Sequence, residues 1–334
     1  MLTTLGTVTL RSGRQMTMYL LEPPGEAFGE RLLEFLRHKN DDSIRAIRQR
    51  VRGQYVDHSV DRYFVGEVDG RFMGHVWYGL PRGGTGVGNF GHVYTDPEWR
   101  GEGIATELCR VLVDHFNADP EGKALLCSAG AKAGRIYRQF GFEFIPPTAE
   151  SGPMALMQGE TFDELESRTF APGRATTVRL GHIGDRHDID RLLDFSPGWI
   201  AARKRWHFLG LASQAPTFIA ALHMVEDGRG IVTVLQTEDG SIVGWAFALR
   251  LGTAVEATVT ADFAVHPHYL SEGPRLLRET AGLAGQSVTH ACVAACDEER
   301  VTAFAGAGFT EQYRFESGVS VDGKAYDLLL LRSS

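Results

Sequence analysis

Apolar residues recur along the chain in two rhythms, one of period two and one of period 3.6. Extended apolar runs occupy 6–11, 62–80, 88–96, 123–128 and 142–157, and the longest is interrupted at Asp69-Gly70, a pair that folds a strand back on itself. Helical spacing occupies 25–52, 103–117 and 131–140. In the second of these, Ile104, Leu108, Val111, Leu112 and either His115 or Phe116 share one face, which predicts an amphipathic helix. The order is strand, helices, hairpin, long strand, helix, strand, helix and closing strands. It predicts an α/β sandwich of a mixed sheet flanked by helices.

The same order occurs twice. "VDGRFMGHVWYGL" at 68–80 lines up with "EDGSIVGWAFALR" at 238–250, taking Gly70 to Gly240 and Gly74 to Gly244. Under that displacement "VYTDPEW" meets "FAVHPHY", Pro97 falls on Pro267 and Gly103 on Gly273. Further on, "RIYRQFGF" meets "VTAFAGAGF", with a displacement three residues shorter. One unit has been used twice. The polar, Pro- and Gly-bearing stretch at 158–175 predicts the seam, giving domains at 1–160 and 174–334.

Composition narrows the partners. A chain of 334 residues, 43% hydrophobic and 23% charged, is an ordinary globular composition for two domains. A net charge of −8 argues against nucleic acid as a partner, because phosphate neutralisation needs a basic face. No apolar run reaches the ~18 residues of a membrane span, and the first residues lack the order of a signal peptide. A cytoplasmic protein with no membrane partner is expected. The four cysteines, Cys109, Cys127, Cys292 and Cys296, read as reduced thiols inside the fold. Cys292 and Cys296 near His290 would make half a metal site, and no second half stands at ligand spacing, so no metal is expected.

The candidate chemistry begins at "WRGEGIA", residues 99–105. Two glycines and an arginine stand between an extended run and an amphipathic one, where a helix start costs entropy if built from glycine. Bare backbone at a helix N-terminus exposes unpaired N–H groups and the positive end of the macrodipole, so an anion such as pyrophosphate can approach closely. Arg100 adds a fixed charge. The bland alternative is a tight loop with a solvated arginine. No P-loop pattern is present. Gly86, Gly88 and Gly91 form a G-x-G-x-x-G, but it runs into an extended stretch instead of opening a helix, and so reads as a glycine-rich hairpin loop.

The stretch "VYTDPEWRGEGIATEL", with Arg100, Gly103 and Ala105 in a [Q/R]-x-x-G-x-[G/A] pattern after a strand and a proline, resembles the acetyl-CoA site of the GNAT acyltransferase superfamily. A second motif, "AKAGRIYRQFGFEF", is similar to that family's A-x-x-[LI]-Y-x-x-x-GF helix at Ala133, Ile136, Tyr137, Gly141 and Phe142. The resemblance implies two tandem GNAT-like domains, each a mixed, mostly antiparallel sheet flanked by helices. It implies that the backbone of Arg100, Gly101, Glu102, Gly103, Ile104 and Ala105 holds the CoA pyrophosphate. It further implies that Val93, Tyr94 and Thr95 pair with pantetheine, one of their N–H groups polarising the thioester carbonyl. Tyr137 would protonate the departing thiolate, its alternative role being an aromatic packed on the sheet.

The chain departs from the family where an asparagine often precedes the tyrosine by seven residues, since Gly130 stands there, and "ALLCSA" carries no glutamate base. His92, beside Val93 on the cofactor strand, is the candidate base by position, with a structural strand histidine as the alternative. In the second unit, Leu270, Ser271, Pro274 and Arg275 replace Arg100, Gly101, Ile104 and Ala105, and Phe304 replaces Tyr137. That half therefore reads as a degenerate copy without phosphate cradle or proton donor. Arg37, Arg45, Arg48, Arg50 and Arg52, crowded at 37–63, read either as a site for an acceptor's carboxylate or phosphate or as a solvated helix face. The expected activity is acetyl-CoA-dependent N-acetylation of a primary amine on a small molecule or peptide, by a monomer or homodimer. A non-catalytic acyl-CoA sensor and a GNAT-fold enzyme of other acyl-CoA chemistry are the alternatives.

Overall fold

The computed structural model describes residues 1–199, 211–251, 259–285, 289–321 and 323–333, in two compact units, Met1–Leu165 and Glu166–Ser334. The first unit opens with a hairpin, β1 (Leu2–Thr9) and β2 (Gln15–Leu21), followed by helices α1 (Glu26–Phe35) and α2 (Asp41–Val51). Strands β3 (Ser59–Val68), β4 (Arg71–Pro81) and β5 (Val87–Thr95) form a meander, and α3 (Ile104–Asn117) leads to β6 (Ala124–Ala129). Helix α4 (Ala131–Tyr137) and strands β7 (Glu143–Phe144) and β8 (Gly152–Met157) close the unit, and α5 (Phe162–Thr169) crosses into the second. The sheet runs β1-β2-β3-β4-β5-β6-β8-β7, antiparallel throughout except for the parallel β5–β6 pair.

Local chemistry accounts for these elements. The β3–β4 turn has positive φ at both Asp69 (49°) and Gly70 (77°), the conformation that lets a two-residue hairpin follow the twist of its strands. Asn40 caps α2, its side chain accepting the Ser43 N–H at 2.8 Å. Gly74 lets α3 lie close on β4, for a Cβ there would stand 2.3 Å from Cγ2 of Ile104. One core, with Phe64, Val76, Tyr78, Phe90, Leu108 and Phe116, packs α3 and α4 on one face of the sheet. A second, with Leu32, Ile47, Tyr63, Val65 and Trp77, packs α1 and α2 on the other.

Four sequence expectations change. The opening strand expected at 6–11 is a two-stranded hairpin turning at 10–14. The glycine-rich loop is shorter than its motif: β5 already includes Gly88 and Gly91, and a Cβ on Gly88 would lie 2.0 Å from the Gly79 carbonyl oxygen of the neighbouring strand. On α3, Cys109 and Val113 are buried, whereas Val111 is only half-buried. Cys109 and Cys127 lie inside the fold, but Cys292 and Cys296 are exposed, Cys292 because it takes the outward position of its strand.

The second unit repeats the plan with β9 (Thr176–Leu180), α6 (Arg186–Asp190), α7 (Ala215–Glu226), β10 (Gly230–Thr237), β11 (Ile242–Leu249) and β12 (Val259–Val265). It continues with α8 (Gly273–Leu283), β13 (Thr289–Ala294), α9 (Glu298–Gly306), β14 (Phe309–Val321) and β15 (Lys324–Ser333). Its sheet, β9-β10-β11-β12-β13-β15-β14, has the same order as β2-β3-β4-β5-β6-β8-β7, with its one parallel pair, β12–β13, at the same place. Among the described residues, no helix is long and apolar enough to cross a membrane.

Candidate active site

Strands β5 and β6 pair only over Val87–Asn89 and Ala124–Leu126. Beyond that point β6 stays with β8 while β5 continues to Thr95, so the two diverge and one edge of β5 is left open. At the mouth of this wedge the chain turns through a short 3-10 turn, Pro97–Trp99, into α3. Gly101 and Gly103 have φ of 93° and 92°, a left-handed conformation that costs side-chain-bearing residues roughly 1–2 kcal/mol. A Cβ at either would meet nothing within 4 Å. The glycines thus satisfy a backbone demand and also leave open space in front of the α3 N-terminus.

The result is a cleft of about 710 Å³ walled by Val93, Tyr94, Thr95, Arg100, Gly101, Gly103, Ile104 and Ala105, all expected from the sequence. Arg11, Trp99, Thr106, Lys132, Ala133, Ile136 and Gln139 complete the wall. Three cations, Arg11, Arg100 and Lys132, stand there with no carboxylate among the described lining residues, in a chain whose net charge is −8. Sequence reasoning missed Arg11 and Lys132. The signal for Arg11 was "RSGR" at 11–14, a turn between two alternating stretches that reads as a hairpin once the first stretch is seen to be a strand. Glu102 does not line the cleft. The Ser12 side chain and the Ser12 N–H, which its carboxylate accepts at 2.8 Å, hold it below the usual carboxylate range, and Arg11 donates to the Gly101 carbonyl at 3.0 Å. The hairpin turn and the glycine loop therefore brace each other.

Midway along β5 the ladder with β4 slips. His75 faces Tyr94 and Trp77 faces Gly91, so His92 and Val93 together oppose Val76 in a bulge. His92 takes φ 54°, uncommon for a residue with a side chain. Its carbonyl accepts a hydrogen bond from Nδ1–H of the fully buried His75 at 3.0 Å, and its ring lies 5.1 Å from that of Trp77. His92 is thus on the face covered by α1 and α2 and does not line the cleft. Tyr137 follows Ala133 and Ile136 on α4 but is 7% exposed and turned into the core, edge-on to Phe90 at 4.9 Å. Burial pushes its hydroxyl well above the usual phenol range, with Cys109 and Cys127 beside it adding to the shift. Of the crowded arginines, Arg37 and Arg52 pair with Glu34 and Glu30 at the surface, and Arg50 is buried over Trp77, 3.6 Å from Asp61.

The second unit differs at each of these points. Gly273 has φ −52°, so α8 starts directly from its 3-10 turn, and a Cβ there would stand 3.0 Å from the Phe263 ring. Strand β12 pairs with β11 residue for residue from Val265 to Thr260, with no bulge. Arg300, counterpart of Ala133, reaches into the wedge between β12 and β13, where Nη1 donates to the Phe263 carbonyl at 2.6 Å and Nη2 to the Asp262 carboxylate. Phe263 and Asp262 are the counterparts of Val93 and His92. The slot of the second unit is filled by its own side chain.

Residues 35–155 match a family model described as Acetyltransferase (GNAT) domain. Among solved structures, a GNAT-family acetyltransferase from Streptococcus pneumoniae is 16% identical, with TM-score 0.39 over 48% of this chain and 98% of that one. Spermidine N-acetyltransferase from Vibrio cholerae, in complex with CoA and spermine, is 12% identical, with TM-score 0.38 over 47% and 94%. A phosphinothricin acetyltransferase from Sinorhizobium meliloti, in complex with acetyl-CoA, is 18% identical, with TM-score 0.37 over 47% and 86%. No curated protein matches. The matched segment runs from the end of α1 to β8 and so takes in the bulged strand, the glycine loop and the helix it opens: it is over residues 35–155 that the chain matches the GNAT domain family.

Proposed function

We propose that the first unit is an acetyl-CoA-dependent N-acetyltransferase that passes the acetyl group directly to a primary amine of a small molecule or peptide. The observation that carries this reading is the cationic cleft at the α3 N-terminus opening onto the free edge of β5. The N–H groups of the first turn, with Arg11, Arg100 and Lys132, would hold the pyrophosphate. The edge of Val93–Thr95 would pair with pantetheine, and the Val93 N–H would donate to the thioester oxygen as it gains charge. Acetyl-CoA supplies the activated acyl group. Tyr137, protonated at neutral pH, would give a proton to the leaving sulfur, and His92, on the opposite face, would take one from the incoming amine. The second unit, with its slot filled, would serve the fold or the acceptor and not the chemistry.

The test is a panel of amines incubated with acetyl-CoA under thiol detection. Amine-dependent CoA release supports transfer, binding without release would make the domain a sensor, and release without any amine would mean other acyl-CoA chemistry. Tyr137→Phe should fold, since Phe304 occupies the equivalent site. It should bind acetyl-CoA within about twofold and lose roughly 10²-fold or more in turnover, the range of general acid catalysis. Undiminished turnover would leave Tyr137 a packing residue.

A further inference from the structure

The His92–Val93 peptide has an unusual neighbour. In a trans peptide the carbonyl and the following N–H point in opposite directions. The carbonyl of His92 is held on the α1/α2 face by the His75 ring, so the N–H of Val93 is directed the other way. Val93 is half-buried, packs with the α3-side core and lines the cleft. The bulge leaves it without a β4 partner of its own, and β6 has already parted from β5 three residues earlier. Nothing in the local sequence demands positive φ of a histidine, so the conformation needs an anchor from outside the strand. His75 is fully buried and stacked on Tyr63, and its other ring nitrogen, Nε2, makes no hydrogen bond. Leaving that polar atom unpaired in the core costs roughly 1–3 kcal/mol, a penalty that leucine or phenylalanine at this position would not incur.

We propose that His75 is a positioning residue whose ring N–H holds the His92 carbonyl and so aims the Val93 N–H of the same peptide into the cleft, where the thioester oxygen would sit. The proposal rests on the acetyl-CoA reading of the cleft. It requires no contact between His75 and any ligand. With the peptide flipped, a carbonyl would face the thioester and repel the charge developing there.

The experiment compares the unaltered full chain with His75→Phe, His75→Leu and His75→Asn, the last placing an amide N–H near the position of Nδ1. In the free protein, the HN–Hα coupling of His92 reports its φ: left-handed in the unaltered chain and the asparagine variant, extended in phenylalanine and leucine. With acetyl-CoA carrying carbon-13 at the carbonyl, the downfield shift on binding should be present in the first pair and lost in the second. Affinity for CoA itself should stay within about twofold throughout, and turnover with the best amine should fall roughly 10–100-fold without a matching rise in KM. If phenylalanine does not fold, leucine against asparagine gives the same contrast. A phenylalanine or leucine variant that keeps the left-handed His92 and the full carbonyl shift overturns the proposal. Failure of the unaltered chain to bind acetyl-CoA overturns the reading of the cleft instead, while the His92 coupling still decides whether the ring sets the peptide.

Discussion

Among the buried histidines, His75 in the first unit and His266 in the second are held in the neutral form by burial. His75 donates through Nδ1 to the His92 carbonyl, whereas His266 accepts the His268 N–H at Nδ1 and stacks on Phe170 at 4.2 Å. Burial pushes both down to about 3 from 6.5. An unfolded chain takes up a proton at each near 6.5, and the folded units do not until near 3, so the unfolded state binds more protons across that window. Both units should therefore be most stable above about pH 6.5 and lose up to about 1.4 kcal/mol per pH unit per histidine as the pH falls toward 3. Urea midpoints measured at steps from about pH 7.5 to 4.5 check this, and a flat profile would mean that the rings titrate freely. At this scale the sequence is legible where the requirement is local. Gly101, Gly103 and Arg100 announce themselves by their spacing before a helix, whereas the partner of His75 is a carbonyl 17 residues away whose direction depends on a slipped ladder.

Among the elements, α3 carries the clearest test of the cleft. Ala105 is the second residue of the helix, borders the cleft and has ordinary helical backbone, unlike Gly101 and Gly103, where any side chain would be strained by the positive φ. A glutamate there suits the helix, since a carboxylate near the N-terminus typically adds about 0.3–1 kcal/mol, but it puts negative charge where phosphates would lie. Ala105→Glu should melt at or above the unaltered temperature and bind CoA at least tenfold more weakly, by roughly the 1.4 kcal/mol that a tenfold change represents. Calorimetric CoA affinity equal to the original would place the phosphates elsewhere. The other elements were unevenly visible. Helix α3 and the β3–β4 hairpin were legible because apolar period and Asp69-Gly70 both lie within one stretch of chain. The β1–β2 hairpin was not, because β1 is largely exposed, leaving little apolar contrast in its half of the hairpin to read. A bulge has no sequence signature of its own, since it is a relation between two strands.

For the whole chain, what the two units share is what packing preserves: positive φ at the hairpin glycines Gly70 and Gly240 and the order of strands about one parallel pair. The two units differ at the wedge, and Arg300 was unreadable there because its role needs the carbonyl of Phe263 and the carboxylate of Asp262 brought to it from another strand. A side chain that fills a slot permanently is a ligand that never dissociates. The second half carries its occupant at every concentration, whereas the first half would acquire one only by mass action. At a hundredfold excess of CoA over its dissociation constant the gain is about 2.7 kcal/mol. Amide exchange should then slow by about a hundredfold at the most protected sites of Met1–Leu165 and stay unchanged in Glu166–Ser334. Equal slowing in both would contradict a pre-filled slot. If the expectation holds, the persistence of this protein in a cell short of CoA is decided by one half alone: when the ligand runs low, proteases would find the first unit loosened and the second as firm as before.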